Sequence, residues 1–135
     1  MSSLPIFDVA GSALAAQSVR LNTIASNLAN ADSVGSSPET AYRPIEPVFQ
    51  TARVPGQPGM TGVDVVRVEP LDKPAIRRFE PGHPMADAEG YIYAPDVDPV
   101  AQMVNLISAS RGYQANVEVI NSARELALAT LMMGR

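Results

Sequence analysis

The last third of the chain, residues 98–133 (DPVAQMVNLISASRGYQANVEVINSARELALATLMM), constrains the fold more than any other stretch. At helical period it stacks three adjacent rows of large side chains. These are Leu106, Tyr113 and Ile120; Met103, Val117 and Leu131; and Val100, Ile107 and Leu128. A row on roughly the opposite side is small throughout: Ala101, Ser108, Ala115, Ser122 and Ala129. No proline follows Pro99, which sits where a helix start tolerates one, and Asp98 before it suits an N-cap. The spacing predicts one helix of about 50 Å at ~1.5 Å per residue. Gly112 costs about 1 kcal/mol relative to alanine, too little to break so long a run. By itself the stretch fits either the core helix of a small globule or a subunit helix packed from two directions.

The distribution of charge and proline narrows the choice. Ten of the twelve prolines lie between Pro38 and Pro95, and residues 32–99 hold eleven acids against six bases. The flanks are nearly neutral, tryptophan is absent and aromatics make up 5%. Sparsely charged helical ends around an acidic, proline-rich middle suggest ends that bury themselves in something. A net charge of −4 provides no basic footprint, which argues against a nucleic-acid partner. With no cysteine, the fold uses no disulfide in either redox compartment. No cationic segment precedes an apolar run near the start, so no cleaved signal peptide is expected. LALATLMM is too short to span a bilayer, and no membrane insertion is expected.

From Ile6 to Ala31 the apolar residues keep a seven-residue repeat. Phe7, Leu14, Leu21 and Leu28 form one row; Ala10, Gln17, Ile24 and Ala31 form the second. This is the seam of a coiled coil. Gln17 interrupts it, as Gln114 and Asn121 do at the other end, and such residues cost stability while fixing register. The helix is predicted to stop near Asn30–Asp32, with Gly35 and Pro38 closing off continuation. Neither helix is stable alone at this length, so each end is the other's first partner. The predicted fold is mainly α with a small β/loop insertion. Long N- and C-terminal helices (residues 1–35 and 96–135) pair as an antiparallel coiled coil around a proline-rich β-hairpin region (36–95).

Within that region, residues 42–49 are extended but broken by Pro44 and Pro47, an edge strand at best. Residues 54–62 (VPGQPGMTG) form a loop. Residues 62–69 are the best strand, with Val63, Val65 and Val68 supplying its buried side, and 75–80 is its expected hairpin mate. Tyr91–Tyr93 makes a last short strand.

Chemistry has few candidates. His83, the only histidine, lies near Asp87 and Glu89 in PGHPMADAEG. A weak metal site or a general base is one reading, and a turn residue is the default, because no second imidazole or ligand spacing supports a preformed site. No catalytic residue, metal or cofactor is expected. Asp96 and Asp98 read as a turn and an N-cap, and Arg77–Arg78 as charge on an edge strand that discourages further pairing.

Two stretches carry a resemblance. IFDVAGSALAAQSVRLNTIASNLANADS (6–33) and MVNLISASRGYQANVEVINSARELALATL (103–131) resemble the two ends of bacterial flagellar axial proteins, in particular the rod–hook branch. PGHPMADAEGYIYAPDVDPV (81–100), with a length near 135 and no large inserted domain, is similar to the proximal-rod, rod protein C branch. The match weakens across 34–80, and Gly112 stands where the family often carries a larger residue. The resemblance implies a structural subunit of the proximal rod of the flagellar basal body, not an enzyme. Its copies would form a hollow drive shaft that transmits torque and lines an export channel. The implied partners are copies of the chain, other flagellar rod proteins, the flagellar type III export apparatus and basal-body ring components. The implied place is the basal-body rod spanning the periplasm, reached by export without a cleaved signal peptide.

Carried over by position, Asn27, Leu28 and Asn30 belong to the first family motif, and Ser110, Arg111, Tyr113, Gln114, Asn116 and Asn121 to the second. With Phe7, Leu14, Leu21, Ile24, Met103, Leu106, Ile107, Val117, Ile120, Leu128 and Leu131 they make up the expected assembly surface. The amides are expected to satisfy backbone groups at crowded junctions, where an unpaired buried polar atom costs ~1–3 kcal/mol. Another rod subunit, a secretion adaptor of helical, chaperone-like form, or a soluble metal-dependent enzyme centred on His83 are the alternatives left open.

Overall fold

The computed structural model of the chain describes residues 5–134; residues 1–4 and 135, parts of the two predicted end segments, lie outside it. The elements run α1 (Pro5–Ala29), β1 (Ile45–Arg53), β2 (Thr61–Pro70), β3 (Ile76–Phe79), β4 (Tyr91–Ala94) and α2 (Pro99–Met133). Two helices, at the two ends, enclose an insertion of two separate two-stranded antiparallel sheets, β1–β2 and β3–β4.

Helix α2 starts as its sequence dictates. The Asp98 carboxylate accepts from the Val100 and Ala101 amides at 2.9 and 3.3 Å, and Pro99 occupies the first turn, where no donor is missed. Helix α1 ends where Asn30 turns its side-chain amide back onto the Ser26 carbonyl at 2.8 Å. The helices run in opposite directions: Gln17 meets Gly112, while Thr23 and Asn27 share a cleft with Gln102 and Asn105.

The strand pairing differs from the sequence expectation. Residues 62–69 do form a strand, but its mate is β1, not 75–80; β3 pairs with β4 instead. The reason is local. Pro44 precedes β1, and Pro47 faces Val68 in a sheet of two strands, whose outer edges need no donor. The 54–60 loop closes the hairpin through Val54 N–H to the Met60 carbonyl at 3.2 Å, with Gly56 and Gly59 at positive φ. Val63 and Val65 are half-buried as expected, whereas Val68 is exposed.

The hairpin is pinned to α1. Ser12 Oγ donates to the Val9 carbonyl at 2.7 Å and accepts from the Val63 amide at 3.1 Å. A Cβ at Gly62 would stand 2.5 Å from that hydroxyl, so a larger residue there would push Ser12 Oγ off its bond to Val63. The β3–β4 sheet is tied to the end of α1 through Gly35, which exchanges backbone hydrogen bonds with Tyr93 at 2.8 and 3.0 Å. Arg77 pairs with Glu89 and lies over the Tyr91 ring, 3.6 Å from its centroid, and Phe79 meets that ring edge-on at 5.1 Å.

The interior is built from small residues. Of nine buried apolar residues among those described, six are alanines, and Ile92 is the one large side chain fully buried. An ordinary globule of this size puts its large apolar side chains inside. Here most of them are left at least partly exposed.

Candidate assembly surface

Helix α1 buries Ala10, Ala16, Thr23, Ile24 and Asn27, and its seam residues Phe7, Leu14, Leu21 and Leu28 are half-buried. Against it α2 presents a narrow, mostly small face: Ala109 and Ala123 are buried, and Leu106, Asn116 and Ile120 are half-buried. A Cβ on Gly112 would sit 3.2 Å from Gln17 Nε2, so the helices come together closely at this glycine. The Gln17 Oε1 atom, enclosed there, has no hydrogen-bond partner.

Asn27 is the most densely bonded polar side chain at the junction of α1 with the insertion. Only 4% exposed, it donates from Nδ2 to the Ile45 carbonyl at 2.8 Å and accepts at Oδ1 from the Ile45 amide at 2.8 Å. The same oxygen accepts from the Tyr42 hydroxyl at 2.9 Å. Its amide thus acts as one more backbone unit, completing the first residue of β1. Asn116 likewise turns its side chain onto a backbone carbonyl, that of Gly112, at 2.8 Å.

The remaining rows of α2 are bare. Met103 is 51% exposed, Ile107 55%, Leu128 51% and Leu131 70%; Tyr113 and Val117 lie at the margin of exposure. Arg111, Gln114 and Asn121 are exposed and Ser110 half-buried. Val100, Val104, Val119, Leu126, Met132 and Met133, elsewhere round the helix or at its ends, are exposed as well. Covering a large apolar side chain is worth ~1.5–3 kcal/mol, and this face forgoes that stabilisation. A lone chain leaves it wet.

Chemical sites are engaged otherwise. His83 Nδ1 accepts from the Met85 amide at 3.1 Å, a turn contact. Asp87, its sequence neighbour, accepts from the Tyr91 and Glu89 amides at 2.9 Å and from the Tyr93 hydroxyl at 3.2 Å. The Tyr91 amide foremost holds the Asp87 carboxyl below the usual aspartate range, and partial burial followed by the Asp87 contact pushes the Tyr93 phenol up. Glu89 is taken by Arg77. Among the described residues no three of His, Cys, Asp and Glu gather closely enough to hold a metal ion, and no helix is long and apolar enough to cross a membrane.

The sequence matches known families at both ends. Residues 7–35 fit the family described as flagella basal body rod protein, and residues 88–133 the flagellar basal body rod FlgEFG protein C-terminal family. The flagellar basal-body rod protein FlgC of Yersinia enterocolitica is 55% identical over 137 residues, covering all of both chains. That of Salmonella typhimurium is 53% identical over 135 residues, again covering all of both. That of Aquifex aeolicus is 34% identical over 120 residues, 88% of this chain and 87% of its own. The chain belongs to the flagellar basal-body rod protein C family.

In this rod-family chain the two matched segments hold α1 and, at the other end, β4 with α2; the β1–β2 hairpin lies outside both. The expected surface residues divide by side. Phe7, Leu14, Leu21, Ile24, Asn27, Leu28, Asn30, Leu106, Ser110, Asn116 and Ile120 are at least partly covered within the chain. Met103, Ile107, Arg111, Tyr113, Gln114, Val117, Asn121, Leu128 and Leu131 are not. Sequence reasoning missed Ser12, Thr23 and Tyr42 as junction residues. Ser12 and Thr23 left no signal beyond small size in a helix, and Tyr42 none beyond its place before a proline. Met132 and Met133 are both 80% exposed and fill no gap in the single chain.

Proposed function

We propose that the chain is a structural subunit of the proximal rod of the flagellar basal body. Copies, together with other rod proteins, polymerise into a hollow drive shaft that passes torque and lines the export channel. The subunit performs no chemistry; its work is assembly. The observation that carries this reading is the bare apolar surface of α2 in a chain whose whole length matches rod proteins. Within each subunit α1 and α2 run as an antiparallel coiled coil, with 1–35 and 96–135 as one inner domain and 36–95 inserted into it. The chain reaches the periplasm through the flagellar type III apparatus without losing a signal peptide, and there meets ring components. The bare rows of α2 reach full order only as neighbours cover them, which stronger protection from amide exchange in rods than in dilute chain would report.

The test is complementation of a strain lacking this chain. Ile107→Asp and Leu128→Asp, both on the bare face, are expected to leave the helix content of purified protein unchanged while basal bodies stall before the rod is complete and motility is lost. Normal swimming with intact rods in both variants would overturn the proposal, as would absence of the wild-type chain from purified basal bodies.

A further inference from the structure

The side of α2 turned away from α1 carries a pattern of charge that the single chain does not use. Arg111, Glu118 and Glu125 recur every seven residues and so share one stripe, flanked by Ser108, Ala115 and Ser122; all six are exposed. Four ion pairs join the described residues: Arg67–Glu69, Lys73–Asp96, Arg77–Glu89 and Arg78–Glu80. All lie in the insertion or at its end, and none includes a residue of α2.

We infer that this stripe is a contact between the α2 helices of two copies of the chain, in which Arg111 of one copy pairs with Glu125 of the next. The inference rests on the rod-subunit reading above, because a polymer with one direction sets its copies parallel. Register then decides the partner. Level with each other, two parallel stripes oppose Arg111 to Arg111 and each glutamate to itself. A shift of one heptad, about 10 Å at ~1.5 Å per residue, brings Arg111 to Glu118 but also Glu118 to Glu125. A shift of two heptads, about 21 Å, brings Arg111 to Glu125 and leaves each Glu118 beside an uncharged position, Val104 or Met132. Only the last has an attraction and no repulsion. The short side chains at 108, 115 and 122 let the helices approach closely, which withdraws the pair from water and sharpens its discrimination between registers. An antiparallel contact would pair Arg111 with Glu118 twice, but that arrangement is self-complementary and closes into a dimer instead of extending.

Charge reversal in the full-length chain tests this. Arg111→Glu and Glu125→Arg are each expected to cut the number of completed rods about tenfold or more, since like charges facing across an interface strongly oppose association. The double variant is expected to recover to near wild type. Far-UV circular dichroism of the purified single variants, unchanged from wild type, confirms that the chain still folds. Recovery of Arg111→Glu by Glu118→Arg instead of Glu125→Arg overturns the register, and normal rods in both single variants overturn the contact. Should those variants assemble while Ile107→Asp still stalls the rod, the contact falls and the rod-subunit reading stands; assembly of all three removes both.

Discussion

Asn27 shows how one side chain can decide where a segment lies. Its amide meets both backbone groups of Ile45 and takes the Tyr42 hydroxyl as well, so it substitutes for a neighbouring strand. Asn27→Ala strands these groups at a buried junction and is expected to cost about 1–3 kcal/mol, measured by chemical denaturation. Asn27→Asp keeps the two accepted bonds but loses the donor to the Ile45 carbonyl, and is expected to fall between alanine and wild type. Asp87 gives a different signature. Its folded-state pKa is lowered, so the stability it contributes is complete above the ordinary aspartate value of about 3.9 and is lost as pH falls through the lower folded value. The β3–β4 turn is therefore expected to loosen in acid, with the Glu89 and Tyr91 amide resonances moving together below about pH 4. In Asp87→Asn that acid step should vanish. The special standing of Asn27 was legible in the sequence only through its motif. The ties of Asp87 were not, because they depend on a turn that brings residues 87, 89, 91 and 93 together.

At the level of elements, the long helices announced themselves and the sheets did not. Helix α2 has a cap, a proline and an uninterrupted period over 35 residues, all local signals that tertiary context had no cause to override. Strand pairing is a contest between partners distant in the chain. Residues 75–80 are nearer to β2 than β4 is to β3, and nearness favoured the wrong hairpin. The outcome turned on the glycine-containing loop at 54–60 and on prolines that edge positions tolerate. The face of α2 that meets α1 was hidden for another reason. Hydrophobic period points to large residues, while the helix pair closes over small ones. This gives an unequal pair of truncations. Ile24→Ala, in the buried seam, is expected to destabilise the chain by about 2–4 kcal/mol. Leu128→Ala, on the bare face, is expected to change it by less than about 0.5 kcal/mol. Denaturant unfolding followed at 222 nm compares them; equal losses would mean that both faces are covered in the single chain.

For the whole molecule, the balance of inside and outside is the main finding: a buried interior mostly of alanines, with many large side chains left exposed. Such a surface fits the proposed assembly, and the chain's family is one of basal-body rod proteins. The end of α2 carries a consequence of its own. Met132 and Met133 stand almost wholly in water until something covers them. Methionine thioethers in that setting are open to peroxide, and each sulfoxide turns an adhesive tip into a polar one. Mild oxidant should accordingly disarm free chains while sparing those already built in. Mass spectrometry of the last tryptic peptide, from the two pools after one exposure, would show whether assembly shelters that tip from chemical damage.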